Sequence, residues 1–425
     1  MKNLKFQAWD FTFVTIILII LEIELLFFPA ISLAQGGTWT TKTPMSTARL
    51  WLSGEVVGGK IYAIGGATAA GSPTLTTVEE YDPVTNTWMT KTVMPTARYN
   101  MASAVADGKI YIVGGGHSFQ VGVTSGVRTL EVYDPATDTW DTTKTDMPTA
   151  REGASGCMVD DIIYVIGGVV SGGVALKTVE AYDPATDTWT TKAPMPTGRW
   201  ALSTAVVDGK IYAMGTGQGG NTVEEYDPAT DTWTSKASML IGIGYFDTGV
   251  VDGIIYTLGG ASGSASSYSR VFAYDPSADE WSEKTAMSTA RWGLCAGVVN
   301  GKIYAIGGTS GWPVSPLSTN EEYTPTVTSM ENRAIINPVS IALHQNYPNP
   351  FNPETTIEYT VKEPCKVKLI VINLAGQVVK ELVNSYQQRG VYTVDVNMQE
   401  IPSGIYFYKV IIGNFQAVKK MVKTE

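Results

Sequence analysis

Short apolar stretches alternate with glycine- and aspartate-rich turns along the first three quarters of the chain. In one such unit, residues 202–207 and 210–214 are apolar runs joined by Asp208-Gly209. This arrangement predicts a β-hairpin, because a type I′ turn requires positive φ at both central residues. A third run ends at Tyr226 before an Asp-Pro turn, and a fourth contains Trp233. The unit therefore predicts four short antiparallel strands.

The same unit occurs six times with a fixed internal spacing. Each Tyr-Asp-Pro tyrosine is followed seven residues later by a tryptophan, and the repeat length varies between 44 and 53 residues. Almost all of this variation falls in the segment that follows a glycine pair, such as Gly65-Gly66. Self-similarity at this period predicts stacked supersecondary units, and insertions confined to one loop per unit predict one variable face.

The last repeat lacks its tryptophan, whereas an unpaired Trp39 precedes the first repeat. A ring of sheets must join its last unit to its first, since an open sheet edge would otherwise remain. We therefore expect residues 38–42 to add the missing strand to the sheet formed by residues from about 294 to 323.

The repeated motifs resemble kelch repeats. The resemblance rests on the glycine pair after an apolar strand, on Glu-x-Tyr-Asp-Pro and on the tryptophan that follows, and it extends from Trp39 to about Pro325. Six units of four strands predict an all-β fold, a six-bladed kelch-type β-propeller over residues 35–325, and the alternating strands of residues 346–425 predict a small C-terminal β-sandwich. The resemblance implies that a peptide or glycan binds at one mouth of the central channel. Thr216, in place of the second glycine, departs from the pattern.

Residues 1–34 have the features of a secretory signal peptide. Lys2 and Lys5 precede an uncharged, largely apolar stretch, and Ser32 and Ala34 are small residues at positions −3 and −1 of a cleavage site. The alternative is a retained membrane helix. The stretch is only eleven residues long before Glu22, whereas a span needs roughly 20 residues. Export with cleavage after Ala34 is therefore expected.

The C-terminal part of the chain has a different pattern. Residues 326–345 are a polar linker, and residues 346–425 begin with Asn-Tyr-Pro-Asn-Pro-Phe-Asn-Pro and continue with alternating strands. This motif, a Leu-Ala-Gly-Gln turn and a Ser-Gly-Ile-Tyr-Phe-Tyr strand resemble the type A sorting domain of type IX secretion. The resemblance implies that the secretion machinery recognises this domain and that the protein is released or held at the outer-membrane surface. The alternative is a second binding module.

Few residues suit conventional catalysis. Net charge is −10 with no basic cluster outside the ends, which disfavours nucleic acid and anionic membranes as partners. The two histidines, His117 and His344, fall in different domains. Histidine-based hydrolysis and copper oxidation are therefore disfavoured, and no cofactor or metal is expected. The three cysteines, Cys157, Cys295 and Cys365, are expected to be small apolar residues, and Asp pairs such as Asp183 and Asp187 to cap turns.

The connection between consecutive units suggests a ligand site. Ten or eleven residues after most tryptophans lies an arginine, and an aromatic or acidic residue follows it closely. The arginines are Arg49, Arg98, Arg151, Arg199 and Arg291, and the residues that follow are Trp51, Tyr99, Glu152, Trp200, Tyr245 and Trp292. The variable loops add His117, Phe119 and Trp312. These residue types dominate binding sites, so we expect them to line one mouth of the channel. The alternative is that each arginine pairs with a blade glutamate and each aromatic residue fills the ring.

The function expected from the sequence is a secreted or cell-surface, non-catalytic binding platform for a protein, peptide or glycan. One alternative is a sugar epimerase or lyase that uses arginine, glutamate and tyrosine side chains. A purely structural surface protein is the other.

Overall fold

A computed structural model describes residues 36–68, 73–118, 126–263, 267–311, 314–325, 343–361, 365–373, 378–412 and 415–424. The chain divides into two compact units near residue 327. The expected signal peptide and residues 326–342 of the expected linker lie outside the described residues. Regular secondary structure in the described ranges consists of β-strands without helices.

The described residues of the N-terminal unit form 25 strands. The first three sheets contain β2 (Ser53–Val57), β3 (Lys60–Ile64), β4 (Val78–Asp82) and β5 (Thr87–Thr90); β6 (Ala102–Ala106), β7 (Lys109–Val113), β8 (Leu130–Asp134) and β9 (Thr139–Asp141); and β10 (Glu152–Val159), β11 (Ile162–Val170), β12 (Val174–Ala175), β13 (Val179–Asp183) and β14 (Thr188–Lys192). The next three contain β15 (Ser203–Val207), β16 (Lys210–Thr216), β17 (Gly220–Asp227) and β18 (Thr232–Lys236); β19 (Asp247–Val251), β20 (Ile254–Leu258), β21 (Val271–Asp275) and β22 (Glu280–Lys284); and β23 (Cys295–Val299), β24 (Lys302–Ile306), β25 (Asn320–Thr324) and β1 (Thr38–Lys42).

The six sheets are arranged as a closed ring. Neighbouring strands within each sheet are antiparallel, and the first strand of each sheet adjoins the first strand of the next. The innermost strands are, in order, β2, β6, β10, β15, β19 and β23, and β23 adjoins β2 again. The predicted all-β propeller is confirmed, and each sheet is one blade, numbered one to six in that order.

The N-terminal strand closes the ring as predicted. β1 pairs antiparallel with β25, and Trp39 lies opposite Tyr323 with their ring centroids 4.9 Å apart. The Tyr323 hydroxyl donates to the carbonyl of Gly36. The last blade is therefore built from both ends of the propeller sequence.

Neighbouring blades are joined by the tyrosine and tryptophan of each blade and, in blades one to five, by an Asx residue. In blade three, Tyr182 is fully buried and lies 5.0 Å from the Trp189 ring centroid. The indole donates to the Thr145 carbonyl of the preceding connection at 2.8 Å, while the Thr145 N–H and the Tyr182 hydroxyl both donate to Asp187. Burial of such rings contributes roughly 1.5–3 kcal/mol each. Asp183 caps its own turn by accepting from the Ala185 N–H at 2.9 Å, as expected.

In the C-terminal unit, the described residues form two sheets around one core. β26 (Glu354–Val361) pairs with β29 (Gly390–Asn397), and the other sheet has the order β28 (Val378–Gln387), β27 (Cys365–Ile372), β30 (Gly404–Ile412), β31 (Phe415–Lys423). Tyr359 and Tyr408 are buried in this core. Asn346 begins the proline-rich motif, and its side chain donates to Thr355 at 2.9 Å. The motif is therefore part of the folded domain.

Candidate functional site

The five arginines expected at the mouth are instead buried inside the blades. Their side chains are 0–1% exposed, and each pairs with a glutamate on the third strand of its own blade. The Arg98–Glu131 and Arg151–Glu180 distances are 2.6 and 2.9 Å. The full set of pairs is Arg49–Glu79, Arg98–Glu131, Arg151–Glu180, Arg199–Glu224 and Arg291–Glu321. The expectation that these guanidinium groups face a ligand is corrected, because they satisfy charges and carbonyls within the blade.

In blade five, both members of the ion pair are replaced by apolar residues. Ile243 occupies the arginine position and Phe272 the glutamate position, and both are buried. A buried ion pair can be replaced by apolar residues of similar volume at little cost, whereas loss of one partner strands a charge. Burial lowers the pKa of Arg291 to about 10, so its guanidinium is still charged at neutral pH. The joint replacement in blade five supports a structural role for the pair.

The backbone of each arginine contacts the glycine pair of the preceding blade. Gly66 donates its N–H to the Arg98 carbonyl at 2.9 Å, and a Cβ on Gly65 would lie only 2.7 Å from that oxygen. Thr216 keeps the equivalent hydrogen bond to the Ile243 carbonyl at 3.0 Å. β16 extends through Thr216 with an irregular register, which accommodates the departure from the glycine pair.

A ring of six backbone hydrogen bonds surrounds one end of the channel. Each blade contributes one residue, which donates its N–H to the equivalent carbonyl of the preceding blade at 2.7–2.9 Å. All six have φ between +50° and +64°. In order, they are Trp51, Asn100, Gly153, Ala201, Tyr245 and Gly293.

The aromatic residues predicted from the sequence meet at this ring. The Trp51 ring lies 5.3 Å from Tyr99 and 5.5 Å from Trp292, and Trp200 lies 5.4 Å from Tyr245. They come from two successive positions, since Trp51 and Tyr245 belong to the backbone ring and the others precede it by one residue. We call the set of Trp51, Tyr99, Glu152, Trp200, Tyr245 and Trp292 the mouth.

Exposure differs among the mouth residues. Tyr99 and Trp292 are buried, whereas Trp51, Trp200 and Tyr245 are half-buried. Glu152 is buried and accepts a hydrogen bond from the Tyr99 hydroxyl at 3.1 Å. The mouth therefore presents partly open aromatic rings above a buried carboxyl–phenol pair.

Two of the half-buried aromatic residues have an unfavourable backbone conformation. Trp51 and Tyr245 have φ of +53° and +57°. This conformation costs a residue with a side chain roughly 1–2 kcal/mol, and blades three and six use glycine at the equivalent position. Strained residues of this kind are concentrated at functional sites.

The loop residues predicted for the same site are only partly described. His117 is exposed, and its carbonyl accepts a hydrogen bond from Thr74 at 3.2 Å. Phe119 and Trp312 lie outside the described residues.

Sequence reasoning missed a polar cavity of about 310 Å³ in the channel. Asp247 accepts hydrogen bonds from Ser203 at 3.0 Å and from the Ala296 N–H at 2.8 Å. Burial raises the pKa of Glu55 to about 7 and that of Asp247 to about 6. None of the described residues that line the cavity is Lys, Arg or His. The sequence signal was the pair of acids within apolar innermost strands.

Cys157 is half-buried and lines the cavity wall, and Cys295 is buried; both are free thiols whose pKa is raised by burial. Within the described ranges, no group of three or more His, Cys, Asp and Glu side chains is arranged to hold a metal ion.

Comparison with known families identifies both units. Residues 36–217 match the KLHDC2/KLHL20/DRC7 Kelch-repeats domain, and residues 201–240, 244–288 and 291–327 match the Kelch motif. Residues 345–424 match the secretion system C-terminal sorting domain. The chain is a kelch-repeat β-propeller protein with a C-terminal sorting domain, exported by type IX secretion to the cell surface or the extracellular space.

The propeller also resembles the solved structure of YjhT, with a TM-score of 0.56 and 16% identity over 66% of this chain and 96% of that one. At this identity the likeness supports the fold alone. No curated protein matches the sequence. No described helix is long and apolar enough to cross a membrane.

Proposed function

We propose that this exported protein is a non-catalytic binding platform and that a protein segment or a glycan docks on the mouth. The observation that carries the proposal is the convergence of half-buried Trp51, Trp200 and Tyr245 rings at one end of the channel. Aromatic rings give a large contact area at low entropic cost, and Trp and Tyr are enriched among residues that dominate binding energy.

The environment of the mouth supports this use. Each ring is held by the closed ring of blades, and the described parts of the variable-length loops pair with residues of the mouth, as Gly116 does with Tyr99 and Thr309 with Trp292. Loops on a rigid scaffold are a common place for recognition. The strained backbone of Trp51 and Tyr245 is consistent with selection for the position of the rings rather than for stability.

Trp200 is the residue to test. The purified protein is screened on peptide and glycan arrays, and each ligand found is titrated against the parent protein and Trp200→Ala. Loss of a central tryptophan at a binding site costs 2 kcal/mol or more, or about 30-fold in Kd. We expect at least that loss. Val84→Ala is the matched control, because Val84 is an apolar residue that is 87% exposed on an Asp-Pro turn at the opposite face.

Retention of full affinity by Trp200→Ala would contradict the proposal. NMR of any bound sugar then separates binding from the sugar-modifying alternative, since only an epimerase or lyase changes the sugar. The arginines expected for that alternative are buried in ion pairs within the blades, so it would rely on Glu152 and Tyr99.

A further inference from the structure

A second concave site lies between blades two and three, on the face of the Asp-Gly and Asp-Pro turns. The groove has a volume of about 260 Å³. Tyr111, Val132 and Trp140 contribute its aromatic and apolar lining, and Pro184 of the next blade lies on the other side. The groove is separate from the mouth, which is formed by the connections at the opposite ends of the strands.

Blade two differs at the floor of this groove from blades one, four and six, in which a glutamate lies opposite the equivalent tyrosine. In blades one and six, the equivalent tyrosines, Tyr62 and Tyr304, donate to Glu80 and Glu322 at 2.9 and 2.6 Å. Val132 lies opposite Tyr111 at the position of those glutamates. The change removes the hydrogen-bond partner and leaves an apolar floor.

Tyr111 consequently lacks the intramolecular hydrogen-bond partner that its counterparts in blades one and six have. Its side chain is 5% exposed, and within the described ranges no group forms a hydrogen bond with its hydroxyl. Burial raises the pKa of Tyr111, and Asp107 and Asp141 raise it further, so the hydroxyl remains protonated in a region of negative potential. The hydroxyl oxygen is not one of the fully buried, unpartnered side-chain atoms of the described residues, and Tyr111 lines the groove, so this oxygen is open to a ligand there.

Acidic groups outnumber basic groups around the groove. Lys109 pairs with Asp134 at 3.3 Å, and Lys144 pairs with Asp141 at 3.7 Å. The third carboxylate, Asp107, forms no ion pair with any described residue. The groove thus combines one unpaired carboxylate, one unpartnered phenol oxygen and the ring of Trp140.

We propose that this groove binds the guanidinium group of an arginine side chain presented by a partner protein. A guanidinium has five N–H donors in one plane and no acceptor, so it can bind the Asp107 carboxylate and the Tyr111 oxygen at the same time. Its planar cation also stacks on indole rings. A neutral or anionic side chain has no comparable complement here.

Binding is tested with N-acetyl-arginine amide and with N-acetyl-citrulline amide, which has a similar shape but no charge. NMR titration of the isotope-labelled protein follows the amides of residues 107–111 and 139–144. A ligand of this size on a suitable site binds with a Kd of about 1 mM. We expect that value for the arginine probe and at least 10-fold weaker binding of the citrulline probe.

Two variants locate the contact. Asp107→Asn is expected to weaken arginine binding at least threefold, and blade six already has Asn300 in the equivalent turn with φ of +52°. Tyr111→Phe is expected to weaken it by a similar factor without loss of stability. The matched controls, Asp252→Asn and Tyr256→Phe, change the equivalent residues of blade five and should bind like the parent.

Equal binding of the two probes would overturn the proposal, as would unchanged arginine binding in either Asp107→Asn or Tyr111→Phe. The mouth is not involved in this experiment, so its result is independent of the function proposed above.

Discussion

Consecutive residues in the connection between blades three and four have opposite environments. Arg199 is 1% exposed and bonded to Glu224, whereas Trp200 is half-buried and lies against Tyr245 at the mouth. Both types, arginine and tryptophan, are frequent in binding sites, yet only the second can contact a ligand here. Residue type alone therefore does not identify a site. Two consecutive residues can point to opposite environments, one into the interior of a blade and the other towards the channel.

The role of the buried arginine–glutamate pairs is tested most directly by Arg199→Ala. This change leaves the Glu224 carboxylate buried without its partner, so we expect a loss of about 3–5 kcal/mol in the free energy of unfolding. Chemical denaturation measures the loss. The double variant Arg199→Ile, Glu224→Phe copies blade five and should regain most of it. Equal instability of the single and double variants would show that the ion pair itself is required.

Trp39→Ala tests how much the closing strand β1 contributes to the stability of the propeller. Trp39 packs on Tyr323 and donates its indole N–H to the Thr285 carbonyl at 2.8 Å. Because the ring is half-buried, we expect a loss of about 2–3 kcal/mol, near the lower end for large-to-small core substitutions. Thermal unfolding measures it. An unchanged melting temperature would show that the hydrogen-bond ring closes the propeller without β1.

Glu55 in the channel is expected to make the stability of the propeller depend on pH. The folded-state pKa of Glu55 is about 7, above the ordinary value of 4.5. Its contribution to stability is therefore fully present below the ordinary value and is lost as the pH rises through about 7. We expect the free energy of unfolding to fall by about 1–3 kcal/mol between pH 5 and pH 8. Glu55→Gln should reduce this difference, and an identical pH profile for that variant would assign the effect to other groups.

Substitution of a half-buried aromatic residue of the mouth should change the free energy of unfolding least. Trp200→Ala removes a half-buried ring, for which we expect a loss of about 1 kcal/mol or less. Measured beside Arg199→Ala under the same conditions, it gives the difference between the two positions. A loss as large as that of Arg199→Ala would remove the distinction.

The periodic sequence predicted the strands, the turns and the closing strand because these depend on local chemistry. Asp-Gly selects a hairpin turn, and displaced Trp39 has one available position opposite Tyr323. The same spacing also brought the aromatic residues to one end of the channel.

The environment of the arginines was not decided by spacing. Position along the strand predicted the end of the blade correctly, but not whether the side chain folds back onto the blade interior. A clue was present in the sequence, because the repeat that lacks the arginine also lacks the glutamate and has Ile243 and Phe272 instead. The repeat pattern did not predict the channel acids Glu55 and Asp247, because each occurs in a single repeat.

The closing strand gives the propeller the topology of a circle with one cut. Thr38 and Thr324 are paired neighbours, so the chain ends of the propeller lie across one strand spacing, about 5 Å. This cut falls between the third and fourth strands of a blade, where the other five blades have an Asp-Pro turn. A circular permutant opened between Pro184 and Ala185, with residues 325 and 36 joined by a short turn, would contain the same strands in the same order around the ring.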